Sequence, residues 1–200
     1  MRTNRSSPIV TLRFVLLLAT MLAGPAVATQ AAEDAIAYPG LAGVTFPELV
    51  GPFLRERKIQ VFSETRLDIG IGYNLPLRDL QIASTVFFYD PVPAITDELA
   101  ALSDETTKIK AEIVARHRGA RLVAQNSFEI EQPAGSKIGT ELIFHYREAF
   151  VFREQALESV SHLFVHDGHF IAFRHTYPRE QRTAARTAIR AFMTTLQWAK

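Results

Sequence analysis

The chain has 200 residues, 22 Lys+Arg against 21 Asp+Glu, and no cysteine. Without a thiol, cysteine nucleophiles, iron–sulfur clusters, thiolate zinc sites and disulfides are excluded, and the fold must rest on its core. The near-balance of charge removes any global electrostatic reason to bind nucleic acid.

Residues 1–28 read as a secretory signal peptide. Arg2 and Arg5 open it, Phe14 to Ala23 is an uncharged, mostly apolar run, and Ala26-Val27-Ala28 supplies a small-x-small cleavage signal. The run is shorter than the ~20 residues a membrane span needs, and no later stretch has the length and apolarity of one. Cleavage after Ala28 takes Arg2, Arg5 and Arg13 and no acid, so 19 basic and 21 acidic side chains remain, a formal −2. The expected location is periplasmic or secreted. A loose, turn-rich lead-in over 29–43 precedes a single domain over 44–200.

In VTFPELVGPFLRERKIQVF, short apolar runs are broken by Pro47, Gly51 and Pro52. LDIGIGYNL (67–75) alternates, with Leu67, Ile69, Ile71 and Tyr73 on one side, and predicts a strand with one buried face. Gly70-Ile71-Gly72 begins like a dinucleotide fingerprint, but position 75 is Leu and the glycines lie inside the strand. They read better as small residues on one face of a twisted strand, such as a crossing helix would need. STVFFYDP (84–91) is a second strand, ended by Asp90-Pro91-Val92-Pro93.

Over 96–117 the period changes. Leu99, Leu102, Thr106, Ile109, Ile113 and His117 fall on one helical face, Thr96 is the expected N-cap, and Gly119 is the stop. Strands follow at 120–130 and 139–152, separated by a turn at Pro133-Ala134-Gly135-Ser136. Glu129 and Glu131 share a strand face, and a solvated edge explains them better than paired catalytic acids. Pro178 opens a closing helix whose buried stripe is Ala185, Ala188, Ile189, Phe192 and Leu196. Phe192, Leu196 and Trp198 are expected in the core or at its rim rather than as a stacking platform.

SHLFVHDGHFIAFRH (161–175) holds four of the six histidines. Asp167-Gly168 predicts a two-residue hairpin turn, pairing His166 with His169, Phe164 with Ile171, His162 with Phe173 and Val160 with His175. All four histidines then share one face. His166 and His169 sit together at the tip, with Asp167 a third low-weight metal candidate. His162 and His175 lie ~13 Å away, beyond Phe164 and Ile171. Two ligands at each of two places do not make a zinc site, so no metal and no cofactor are expected. The expected hairpin has exposed imidazoles at its tip and partly buried ones further in.

Arg182, Arg186 and Arg190 recur every four residues beside the apolar stripe of the last helix. Their functional reading is a basic face for an anionic partner, a headgroup or a protein; the plainer reading, a solvated helix face, is preferred.

At TVFFYDPV and at GHFIAFRHTYP, followed by a closing amphipathic helix, the chain resembles small exported bacterial proteins of the PsbP-like α/β/α sandwich superfamily, which includes the release factor of the Ran GTPase. The order of elements agrees over roughly residues 44 to 198, and His175 stands where an apolar residue would be usual. The resemblance implies an α+β fold: a mainly antiparallel sheet of about six strands with helices on both faces. It also implies a non-catalytic adaptor that binds another protein.

The leading expectation is therefore an exported, non-catalytic binding or accessory protein of the cell envelope, partnered by another envelope protein. The second is a carrier of a small apolar or anionic ligand, held between sheet and helix near Tyr73, Phe87 and Tyr89. The third is a metal-assisted enzyme using the hairpin histidines.

Overall fold

A computed structural model describes residues 35–38, 41, 44–151 and 153–199. The segment read as a signal peptide lies outside the described residues, as does most of the lead-in.

The chain forms eleven strands and two α-helices among the described residues. Five short strands come first: β1 (Ile36–Ala37), β2 (Thr45–Phe46), β3 (Leu49–Val50), β4 (Phe53–Arg55) and β5 (Gln60–Val61). Long strands β6 (Asp68–Leu77) and β7 (Leu80–Tyr89) lead to helix α1 (Glu98–Arg116). A meander follows, made of β8 (Arg121–Gln132), β9 (Gly135–Phe150), β10 (Arg153–His166) and β11 (His169–Pro178). A 3-10 turn at Arg179–Gln181 then enters helix α2 (Arg182–Thr195).

β1 pairs only with β2, and the other nine strands form one sheet. Its order is β3-β4-β6-β7-β11-β10-β9-β8, with β5 also on β6, and every pairing is antiparallel. The sheet is larger than the six strands expected, because the Pro- and Gly-broken run before residue 62 still pairs in two- and three-residue pieces.

Strand parity divides the core. Ile69, Ile71 and Tyr73 on β6, Phe88 on β7, Ile143 on β9, Val160 and Phe164 on β10, and Phe173 and Tyr177 on β11 join Ala185, Ile189, Phe192 and Met193 of α2. Their alternating neighbours, among them Leu142, Phe144, Leu163, Phe170 and Ala172, join Ile109 and Ile113 of α1. The central strands are thus covered on both faces, one helix to each, which is why β10 and β11 read as nearly continuous apolar runs. No helix among the described residues is long and apolar enough to cross a membrane.

Helix ends differ slightly from expectation. Asp97 rather than Thr96 caps α1, its carboxylate accepting from Leu99 N and Ala100 N at 3.0 and 3.1 Å. The apolar stripe is also narrower than its periodicity, since Leu99 is 80% exposed and only Thr106, Ile109 and Ile113 are buried. Pro178 ends β11 rather than opening α2. Gly70 and Gly72 accommodate no helix: a Cβ would meet the rings of Phe62 and Phe87 at the first and the Glu56 side chain at the second.

Gly139 is the glycine most constrained by space. A Cβ there would stand inside contact distance of the Leu163 carbonyl oxygen and 2.6 Å from the Phe164 ring. A carbonyl held in a sheet ladder cannot retreat as a side-chain tip can. Gly139→Ala should destabilise the fold by about 1–3 kcal/mol, the range for overpacking, read as a lower urea midpoint with the slope unchanged.

Candidate functional site

The hairpin forms in the expected register. Asp167 and Gly168 both take positive φ, 50° and 77°, as a type I′ turn demands. His166 opposes His169 and His162 opposes Phe173, so the four histidines share the face that meets α2.

Their surroundings then diverge. His169 is half-buried, with Nδ1 2.7 Å from Asp90 Oδ1, and the other Asp90 oxygen accepts from Leu67 N at 3.1 Å. His166 turns its ring edge toward Trp198, and its Nε2 lies 3.5 Å from Asp167 Oδ2. The tip imidazoles are therefore partly covered rather than exposed, because Trp198 and the end of β7 lie beside them. His166 and His169 have separate carboxylate neighbours, and no three His, Asp or Glu side chains among the described residues are placed to hold a metal ion.

His162 and His175 are sealed under α2, at 2% and 0% exposure. His175 Nδ1 shares a 2.8 Å hydrogen bond with Ser84 Oγ, and His162 Nε2 lies 3.4 Å from Glu141 Oε2. His162 Nδ1 and His175 Nε2 have no hydrogen-bond partner among the described residues. Burial lowers both pKa values, against the pull of the Glu141 carboxylate on His162, so both rings are neutral in the folded chain.

The arginine row is turned inward. Glu158, fully buried on β10, accepts from Arg182 Nε at 2.8 Å, Arg186 Nε at 3.2 Å and Tyr177 Oη at 2.7 Å, with His145 Nε2 at 2.9 Å. Arg186 also lies 3.8 Å from Glu141, whose other oxygen accepts from Asn126 Nδ2 at 2.9 Å. Arg190 stands over the Phe128 ring at 5.4 Å. Burial alone would raise the Glu158 pKa. Hydrogen bonds from Tyr177, His145 and Arg182, with the charge of Arg182, outweigh it and bring the value to about 2. This row is first a clamp of α2 onto the sheet, and its sequence signal was an acid inside the apolar run LESVSHLFV. Glu129 and Glu131 are exposed on β8, an edge of the sheet.

The opposite face is built differently. A groove of about 370 Å³ runs between α1 and the sheet. Its apolar lining is Phe62, Phe87, Tyr89, Ile109 and Ala172, with the Phe62 and Phe87 rings 6.3 Å apart. Tyr89 donates to Glu105 Oε1 at 3.1 Å, and burial, then that carboxylate, push its phenol pKa up. Of the three aromatics expected near a ligand, Phe87 and Tyr89 line this groove. Tyr73 does not: it lies on the other face, fully buried, donating to the Pro47 carbonyl at 2.9 Å.

No family model matches this chain, and no curated protein does. Among solved structures, the solution structure of cyanobacterial PsbP (CyanoP) from Synechocystis sp. PCC 6803 is similar with a TM-score of 0.44 and 10% identity, covering 76% of this chain and 83% of that one. A likeness at that level carries no argument about family or activity.

Two acid windows follow. A buried histidine with a lowered pKa is neutral when folded and takes a proton when unfolded, so His162 and His175 stabilise the fold above the ordinary 6.5. That contribution is lost progressively as pH falls below 6.5. Urea midpoints should therefore drop between pH 7 and 5, and His175→Gln should flatten the drop. Glu158 acts lower: its stabilisation is complete above the ordinary 4.5 and is lost as pH falls toward about 2.

Glu158→Gln should destabilise by about 1–3 kcal/mol at pH 7. That is less than a fully buried pair costs, because Arg182 and Arg186 keep 48% and 38% of their side chains exposed and can turn to water. Chemical denaturation with and without 0.5 M salt (on the order of a 4 Å screening length) checks it; an unchanged midpoint would remove Glu158 from the clamp.

Proposed function

We propose that this chain is a non-catalytic binding protein of the cell envelope, and that its binding site is the groove between α1 and the sheet. The envelope location rests on the N-terminal pattern of residues 1–28. The observation that carries the site is the groove itself, an aromatic-floored cleft of about 370 Å³ beside charged walls. Ligand pockets are mostly apolar, occupy roughly 300–1,000 Å³, and contain a few placed polar groups. The occupant is therefore a small, partly apolar molecule, and the protein acts as its carrier.

A second reading, docking of another envelope protein, draws on a neighbouring feature. Leu54 on β4 pairs with Asn74 and Leu49 with Leu54, which places both leucines on the sheet face that carries Phe87, beyond the reach of α1. They are 46% and 56% exposed. A protein partner would cover this strip.

Titrating the labelled protein with the neutral dye phenylnaphthylamine separates the two by amide shift mapping. Shifts concentrated at Phe87, Tyr89, Ile109, Ala172 and Arg174 support the groove. Shifts centred on Leu49 and Leu54 would overturn it, as would binding of neither this dye nor its sulfonated analogue.

A further inference from the structure

We infer that the groove selects a singly charged oxyanion: its ligand lays an apolar ring system on Phe87 and Ile109 and places a carboxylate or sulfonate against Arg174 and Ser161. The inference rests on the binding reading above and adds the chemistry of the ligand.

Arg174 and Ser161 face each other directly across β11 and β10, so their side chains leave the sheet on the same side, toward α1. Both line the groove. Ser161 is 3% exposed, and its hydroxyl has no hydrogen-bond partner among the described residues. A buried hydroxyl without a partner is costly, and natural proteins seldom leave one. Ser161 borders a cleft large enough for a ligand.

Arg174 is the second unspent group. Its side chain is 19% exposed, and its guanidinium lies 5.8 Å from the Phe87 ring centre. Glu112 is its nearest carboxylate, at 3.6 Å, too long for a hydrogen bond. Glu112 is already engaged by Arg116 at 3.2 Å. The remaining acids of the wall have their own cations: Asp68 lies 3.4 Å from Arg66, and Glu105 lies 3.0 Å from Lys108, which stands outside the groove. Two guanidiniums therefore share the Glu112 carboxylate, and Arg174, the more distant of them, keeps its donors open beside the Ser161 hydroxyl. A planar guanidinium with open donors, partly shielded from water, is suited to an oxyanion. The three arginines and three carboxylates of the lining balance, so only Arg174 is placed to take a charge and a ligand with more than one negative charge would meet uncompensated carboxylates; the aromatic floor requires that the rest of it be apolar.

Two dyes sharing one ring system test this on the full mature protein: phenylnaphthylamine, which is neutral, and anilinonaphthalene sulfonate, which carries one negative charge. Fluorescence titration should show the sulfonate bound about tenfold tighter, the scale of one charged hydrogen bond. Arg174→Gln should bring the two affinities together, whatever it does to the neutral dye, and Arg174→Lys should retain part of the preference. Ser161→Ala gives an independent readout. It should weaken the sulfonate more than the neutral dye, yet raise the melting temperature of the unliganded protein, because it removes an unpartnered buried hydroxyl. If Arg174→Gln fails to fold, the serine variant decides alone.

Equal affinity for both dyes overturns the anion selection and leaves the binding reading standing. Binding of neither overturns both. A sulfonate preference untouched by Arg174→Gln and Ser161→Ala overturns the assignment to these two residues.

Discussion

Asp167 and Gly168 hold the left-handed backbone that lets β10 fold back on β11 after two residues. Every arrangement of side chains on the two central strands follows from that register. Side chains alternate along a strand, so a slip of one residue would move each to the opposite face. A slip of β10 would turn His162 and Phe164 toward α1 and drive Ser161 and Leu163 under α2, and a slip of β11 would do the same to Phe173 and His175 against Ala172 and Arg174. Apolar residues on both faces give little reason to prefer one register, since a slipped pair would still bury phenylalanines. The polar residues supply that reason. Glu158 must meet Arg182 and Arg186, and Arg174 must reach the open groove, and only one register satisfies both.

The two helices cover the sheet by different physics. α2 places a broad apolar stripe on it and flanks that stripe with the Glu158 clamp. Beyond α2 the chain end is drawn in as well: Trp198 is fully buried against Phe164, and Gln132 bridges Met193 O and Trp198 N. A buried carboxylate facing two arginines adds little net stability compared with apolar packing. It does fix the position of the helix, because any shift would strand a charge away from water. α1 has no such clamp and a narrower stripe. It sits on Ile109 and Ile113, and its flank is charged where it borders the groove.

Local periodicity made much of this fold legible. The long strands, both helices and the hairpin register can be read from spacing alone, because each is decided by residues within a few positions. The short strands β3 to β5 could not be read, since two or three residues show no period and Pro47, Gly51 and Pro52 argue against pairing. The targets of Arg182 and Arg186 were hidden for a different reason. Glu158 lies on another element, and only the folded sheet brings it beneath the helix. Tyr73 was grouped with Phe87 and Tyr89 by chemistry, although strand parity separates them: Tyr73 pairs with Ser84, which puts it in phase with Val86 and Phe88. The histidine cluster drew attention by composition, yet it is mostly a core feature.

Unpartnered polar atoms distinguish the two faces once more. Under α2, His162 Nδ1 and His175 Nε2 lack partners among the described residues, but both rings are shut away with their bonded nitrogens on Glu141 and Ser84. Their cost appears as acid sensitivity, and of the two only His162 borders any open space, a cavity of about 160 Å³ beside Arg186 and Arg190. On the α1 face, Ser161 lacks a partner beside open space and a guanidinium with open donors. Ser161 is part of the groove lining itself. The same deficiency is thus structural on one face and chemical on the other, and what separates them is the width of the apolar stripe on the covering helix.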